Sequence, residues 1–196
     1  MDEHRVAVER WLPGEVAAER LEAAWGVGER AFAERMRPRP AEEIEAGRKR
    51  RLEQWVDGDG GAPHAMLHVA IVDGEPVATA TTFGRTVNLE GGDPIEALAL
   101  SGVAVEPSRQ GGGLGEAVVR DAFARLGELG LGVCLYQTGL ARGFYERLGA
   151  RCVDNWFFDG TSDVVKCNPW TDRYVMIYPG DAAWPSGPID LGGPAY

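Results

Sequence analysis

Long apolar runs are missing from this sequence. Nothing in its 196 residues approaches the ~20 consecutive apolar residues that span a bilayer, and the opening "MDEHRVAVERWLPGE" lacks the basic, apolar pattern of a secretory leader. The expectation is a soluble cytoplasmic protein with no membrane partner. Cysteine is scarce: Cys134, Cys152 and Cys167 are odd in number and stand in no paired short spacing, so they imply neither a disulfide framework nor a zinc site and read as scattered core or surface thiols. Histidine is equally scarce, and His4, His64 and His68 form neither a metal-ligand spacing nor a Ser/His/Asp pattern, so no metal is expected. Positive charge is outnumbered, with 20 Lys and Arg against 30 Asp and Glu and a net charge of −10, the wrong sign for a partner of nucleic acid or anionic lipid. Small cationic substrates suit it better. There is no internal repeat and no low-complexity linker.

What is present is enough apolar content, 44%, to bury one substantial core, and the chain reads as one domain over 1–196. "HRVAVERWL" (4–12) alternates as a strand that stops at Pro13-Gly14. Residues 15–36 follow with Val16, Leu21, Ala24, Trp25, Phe32 and Met36 at helical spacing, and Gly26 and Gly28 predict a bend or break. A second helix lies between the prolines at 38–40 and "DGDGG", with Ile44, Leu52, Trp55 and Val56 as its inner stripe. Its basic run 48–51 follows Glu42, Glu43 and Glu45, and the i,i+4 pair Glu45/Lys49 marks a solvated face. Residues 65–89 hold two β-rich runs around Asp73-Gly74, a tight-hairpin dipeptide. Another strand spans 93–107, where Gly102 marks a bulge or a close approach of backbone or ligand. Helix, strand and short helix follow, then a strand near 173–178 inside a C-terminal stretch, 160–196, that is otherwise Pro/Gly-rich. The order βααβββαβαβ predicts an α+β fold.

Between the strand 93–107 and the next helix stands "SRQGGGLGEA", with Gly111, Gly112, Gly113 and Gly115. A bare loop entering a helix aims free backbone N–H groups and the helix dipole at one point, which suits phosphate. A Walker loop would end in Gly-Lys-Ser/Thr, but Glu116 and Ala117 follow Gly115. A dinucleotide fingerprint would place glycine where Glu116 stands. Both readings fail on spacing. The stretch Gln110, Gly111, Gly112, Gly113, Leu114, Gly115 instead resembles the acyl-CoA pyrophosphate loop of the GNAT superfamily of N-acyltransferases, Gln/Arg-x-x-Gly-x-Gly/Ala, and "ARGFYERLGA" (141–150) resembles that superfamily's next landmark. The resemblance covers about residues 65–160, and the two N-terminal helices by position only.

That resemblance implies a mixed, mostly antiparallel sheet with helices on both faces, and an enzyme that passes an acyl group, by default from acetyl-CoA, to a primary amine by direct attack in a ternary complex. It implies that the strand backbone at Val103, Ala104 and Val105 pairs with the pantetheine amides, and that the amides of Gln110 to Gly115 hold the pyrophosphate. It puts Tyr145 at the general-acid position, beside Phe144; the residue reads alternatively as a packed core aromatic. Glu96 stands where many members keep a carboxylate base acting through water, and reads equally as a solvated strand-end charge. The tail "WPSGPIDLGGP", with Trp184, Pro185, Gly187, Ile189, Asp190, Gly193 and Pro194, resembles the end of the nodulation N-acyltransferases; alternatively its prolines and glycines wrap the last strand. The layout is similar to the aminoglycoside 2'-N-acetyltransferases, whose C-terminal carboxylate reaches the acceptor, which implies a contact or base role for Tyr196. Both relatives act on amino sugars. A non-catalytic acyl-CoA sensor and an acyltransferase for peptide amines stay open beside this reading, and dimers, common among such folds, make a homodimer an open partner.

Overall fold

The computed structural model describes residues 6–34, 40–58, 60–161 and 166–195. They form two compact units, one drawn from Met1–Phe83 and Gly102–Ala122, the other from Gly84–Ser101 and Phe123–Tyr196.

The first unit holds β1 (Ala7–Trp11), α1 (Ala18–Phe32), α2 (Ala41–Val56), β2 (Met66–Val72) and parts of β3 (Glu75–Leu89), β4 (Ile95–Val105) and α3 (Leu114–Leu129). β1 runs antiparallel to β2 from Ala7 opposite Ile71 to Trp11 opposite Leu67. β2 runs antiparallel to β3 around Asp73 (φ 53°) and Gly74 (φ 83°), the paired positive angles that the Asp-Gly dipeptide predicts. Trp11, Leu21, Ala24, Trp25, Trp55 and Leu67 build one core, in which Trp25 and Trp55 meet edge to face at 6.1 Å.

α1 corrects the expected break, because it continues through both of its interior glycines. Gly26 is buried, and a Cβ there would lie 2.9 Å from the Arg30 guanidinium; a Cβ on Gly28 would reach 4.0 Å from that of Ala104. These glycines let side chain and strand approach the helix closely. Met36 lies outside the described residues. On α2 only Trp55 of the expected stripe is buried, while Ile44 and Val56 are exposed. Lys49 pairs with Glu53, at 3.9 Å, in place of the expected Glu45.

His68 is a strand histidine, on β2, with side-chain partners that the sequence spacing did not show. His68 is fully buried, with Nδ1 2.6 Å from Asp121 Oδ2 and Nε2 3.0 Å from Thr82 Oγ1, so an Asp-His-hydroxyl chain exists that the sequence spacing hid. Arg10 donates to the same carboxylate from Nε at 2.9 Å, and the His68 and Arg10 hydrogen bonds outweigh desolvation and hold Asp121 at about 2. Thr82 is sealed from solvent, so this chain ties β1, β2, β3 and α3 together and offers no nucleophile.

The second unit holds the remainder of β3, β4 and α3, then β5 (Cys134–Thr138), α4 (Arg142–Arg147), β6 (Arg151–Val153), β7 (Phe157–Asp159), β8 (Lys166–Cys167), β9 (Tyr174–Tyr178) and β10 (Ile189–Asp190). β9 lies antiparallel between β5 and β6, β5 lies parallel to β4, and β10 pairs antiparallel with β3 and parallel with β7, which pairs antiparallel with β8. Among the described residues the pairings are thus mostly antiparallel. The core here includes Leu135, Phe157, Ile177, Ile189 and Leu191. The order read from sequence omits β6, β7, β8 and β10. Each of these has only two or three residues, too few to display an alternation.

Candidate functional site

In the first unit, β4 leads through Glu106 and a single 3-10 turn, Pro107–Arg109, into the glycine loop. Gly111 and Gly113 adopt φ of 83° and 80°, where L side chains are strained, and a Cβ on either would meet nothing within 4 Å. The loop is therefore bare on its outer side without the protein packing against those two glycines. Ala117 N–H to the Gly113 carbonyl, 3.0 Å, is the first hydrogen bond of α3, so the preceding amides have no helical acceptor. Leu114 anchors the turn in the interior while Gln110 to Gly113 stay exposed. Gln110 Nε2 donates weakly, at 3.4 Å, to the carbonyl of Val105. Glu116, the acid nearest the helix start, is held by Arg120 at 2.7 Å. Exposed amides, the positive end of a four-turn helix and open space beside the glycines are the physical features that suit an anion.

Val103 and Val105 are half-buried and Ala104 is buried. Just before them Gly102 takes φ 60° within the strand, and its carbonyl accepts from Thr79 Oγ1 at 3.3 Å, which is the irregularity expected there.

The first unit also holds a cleft of about 570 Å³ between α1, α2 and the strands. Trp25, Phe32, Ile44 and Leu67 give it apolar walls, and Thr79, Thr81 and Gly102 line it from the sheet. Glu29, Glu43, Arg48 and Arg51 line it from the two helices. The basic run of α2 is exposed throughout, as expected of a solvated face, and Arg48 and Arg51 on it also border this cleft. Sequence reasoning missed these residues because residues from two helices and three strands, far apart in the chain, meet there.

In the second unit β4 and β5 pair in parallel through Leu98 with Cys134 and Ala99 with Leu135. Tyr145 is buried, on α4, with Phe144 edge-on at 5.0 Å and Tyr136 tilted at 4.7 Å. Burial raises its phenol well above the ordinary range, and the neighbouring Cys134 and Asp172 act in the same direction. Tyr136 Oη is enclosed with no hydrogen-bond partner among the described residues. Glu96 is exposed, and its carboxylate accepts from Thr86 Oγ1 at 2.7 Å. Tyr196 lies outside the described residues.

The tail residues that carried the narrower resemblance have structural partners. Trp184 Nε1 donates to Asn155 Oδ1 at 2.7 Å, and Asn155 Nδ2 donates to the carbonyls of Pro185 and Gly187 at 2.9 Å. Ile189 is fully buried, Asp190 accepts the amides of Gly160 and Gly192, and Gly193 leaves room for Arg85.

Residues 63–149, somewhat under half of the chain, match the acetyltransferase (GNAT) domain family. The fold is a GNAT fold. A GNAT family acetyltransferase from Brucella melitensis, solved in complex with acetyl-CoA, aligns over 96% of both chains with a TM-score of 0.57 and 20% identity. A GCN5-related N-acetyltransferase from Kribbella flavida aligns over 75% of this chain at TM-score 0.56 and 19% identity. The chain spans about a third of the length of that structure and of the next two, an Enterococcus faecalis protein and Eis1 from Mycobacterium abscessus. Glucosamine-6-phosphate N-acetyltransferase from Arabidopsis thaliana aligns over 76% of this chain and 94% of its own, with TM-score 0.52 and 15% identity. No curated protein matches the sequence. Acetyl-CoA is the acyl donor of the GNAT acetyltransferases. Among the described residues, no helix is long and apolar enough to cross a membrane.

Proposed function

We propose that this protein is a GNAT N-acetyltransferase that uses acetyl-CoA to acetylate the primary amine of a small acceptor. The observation that carries this is the loop at Gln110–Gly115: amides at a helix start with no hydrogen-bond partner among the described residues, and open space beside Gly111 and Gly113. When bound, acetyl-CoA supplies an electrophilic thioester carbonyl. The loop amides hold its diphosphate, and the main chain at Val103, Ala104 and Val105 pairs with its pantetheine arm. Tyr145 keeps its proton at neutral pH and gives it to the departing sulfur. The burial that disfavours a phenolate also disfavours a thiolate, so the proton moves between two similarly penalised anions. Glu96 is the base candidate, taking the ammonium proton through water; the carboxylate of Tyr196 is the alternative.

An amino sugar is the acceptor class we favour. The resemblance to amino-sugar acyltransferases supports it, as does the likeness in fold to an acetyltransferase of glucosamine 6-phosphate. The tail's partners speak for a structural part in the second unit, so the acceptor argument rests little on "WPSGPID". Acetyl-CoA turnover with a panel of amines, followed as released thiol, tests the reading. Tyr145→Phe should cut turnover by about a hundredfold or more while CoA binding persists. CoA binding with no turnover of any amine would favour a sensing module instead. Removing residues 194–196 should lower amine turnover more than CoA binding if Tyr196 meets the acceptor.

A further inference from the structure

The charges around the cleft of the first unit do not cancel in space. Arg48 Nε faces Glu29 Oε1 at 3.5 Å, which accounts for one pair. Arg51 has its guanidinium carbon 4.1 Å from the centre of the Trp25 ring and makes no ion pair or hydrogen bond among the described residues. Glu43 stands in the first turn of α2, eight positions earlier, ~12 Å along the helix axis, too far to neutralise it. We infer that this cleft takes an acceptor amine that also carries an anionic group, a carboxylate or a phosphate, and that Arg51 receives the anion.

The geometry favours such a ligand over a purely cationic one. A guanidinium over an aromatic face keeps its N–H donors at the rim, where an anion's oxygens can meet them in pairs. Arg51 remains exposed to an arriving anion, while the partial desolvation of its guanidinium beside Trp25 lowers its pKa, with Glu29 opposing. Arginine remains charged throughout the neutral range. Trp25, Phe32 and Ile44 offer apolar surface to the body of the ligand, and the Thr79 and Thr81 side chains lie on the strand side of the same cavity. The sequence-level expectation of a cationic acceptor came from net charge, which averages over the whole surface. The cleft has its own charge pattern, in which Glu29 faces Arg48 and Arg51 stacks on Trp25 without an ion pair among the described residues.

The amine half of this inference rests on the acyltransferase reading; the anion half does not. Two matched pairs of probes separate the anions: glucosamine with glucosamine 6-phosphate, and phenethylamine with phenylalanine. Titration calorimetry of each against the full-length protein saturated with CoA reads binding without chemistry. The anionic member of at least one pair should bind about tenfold more tightly, and Arg51→Gln should remove the preference, while Arg50→Gln, the same charge lost from the outer face of α2, should preserve it. With acetyl-CoA in place of CoA, Arg51→Gln should raise the acceptor KM and leave kcat nearly unchanged. Equal binding within both pairs, or a preference that survives Arg51→Gln, overturns the inference. Preferential binding without turnover leaves it standing and removes the acyltransferase reading instead.

Discussion

Two glycine-rich stretches of this chain look alike on paper and behave oppositely in space. In "RQGGGLG" the glycines at 111 and 113 have positive φ and a Cβ would touch nothing. In the stretch after β9, a Cβ on Gly180 would lie 2.8 Å from the carbonyl of Gly149, one on Gly192 3.3 Å from that of Thr86, and one on Gly193 3.0 Å from Arg85. The loop leaves open space beside its backbone, which the proposed function assigns to acetyl-CoA. At Gly180, Gly192 and Gly193 the protein itself has filled the space, while Gly187 (φ 98°) stays open. Glycine content therefore indicates close approach, and only the surroundings say whether the visitor is a ligand or another part of the fold.

Substitutions can break this contrast. The largest effect should come from the tail's one fully buried aliphatic anchor on β10: Ile189→Ala should cost about 2–5 kcal/mol, read as a lower urea midpoint with unchanged slope. Gly180→Ala should cost about 1–3 kcal/mol in the same assay, because the obstructing atom is backbone and cannot swing away. Neither should weaken acetyl-CoA in protein that remains folded. Gly113→Val should do the reverse, raising the apparent constant for acetyl-CoA by about tenfold while costing only ~1–2 kcal/mol for its left-handed backbone. If Gly113→Val proved as destabilising as Gly180→Ala and left acetyl-CoA binding unchanged, the distinction between the stretches would be gone. The smallest effect is one of pH. Asp121 titrates at about 2 when folded and 3.8 otherwise, so its contribution is complete above the unfolded value and disappears as pH falls through that interval. Asp121→Asn should flatten the acid limb of the stability profile between about pH 4 and 2.

Legibility followed the range of the interactions. The Asp73-Gly74 hairpin could be read because the dipeptide sets its own backbone angles, and the loop at 110–115 because its spacing is local. Glycine misled at α1, where Gly26 and Gly28 suggest a break to local propensity, yet the helix passes through them and uses the room for Arg30 and Ala104. The Asp121-His68-Thr82 chain was invisible because it joins residues 53 and 14 positions apart. Arg51 was read as surface and is exposed, but its stacking on Trp25 was not legible because the two residues lie on different helices. The two-residue strands needed partners to exist at all: Ile189-Asp190 is a strand only because Leu89 and Phe157 lie on either side of it.

That last dependence has a bearing on how the protein is made. Arg85 donates to the carbonyl of Leu191, a contact that closes a loop of 106 residues, and Ile189 and Leu191 complete the core around Val87 and Phe157. During synthesis, at about 5–20 residues per second, the apolar positions of β3 therefore emerge several seconds before the segment that covers them. A nascent chain in that interval presents a partly uncovered sheet, the kind of surface that chaperones hold and that aggregates when they are scarce. Slowing translation between β3 and β10 should therefore lower the soluble yield, whereas the same slowing after Leu191 should not.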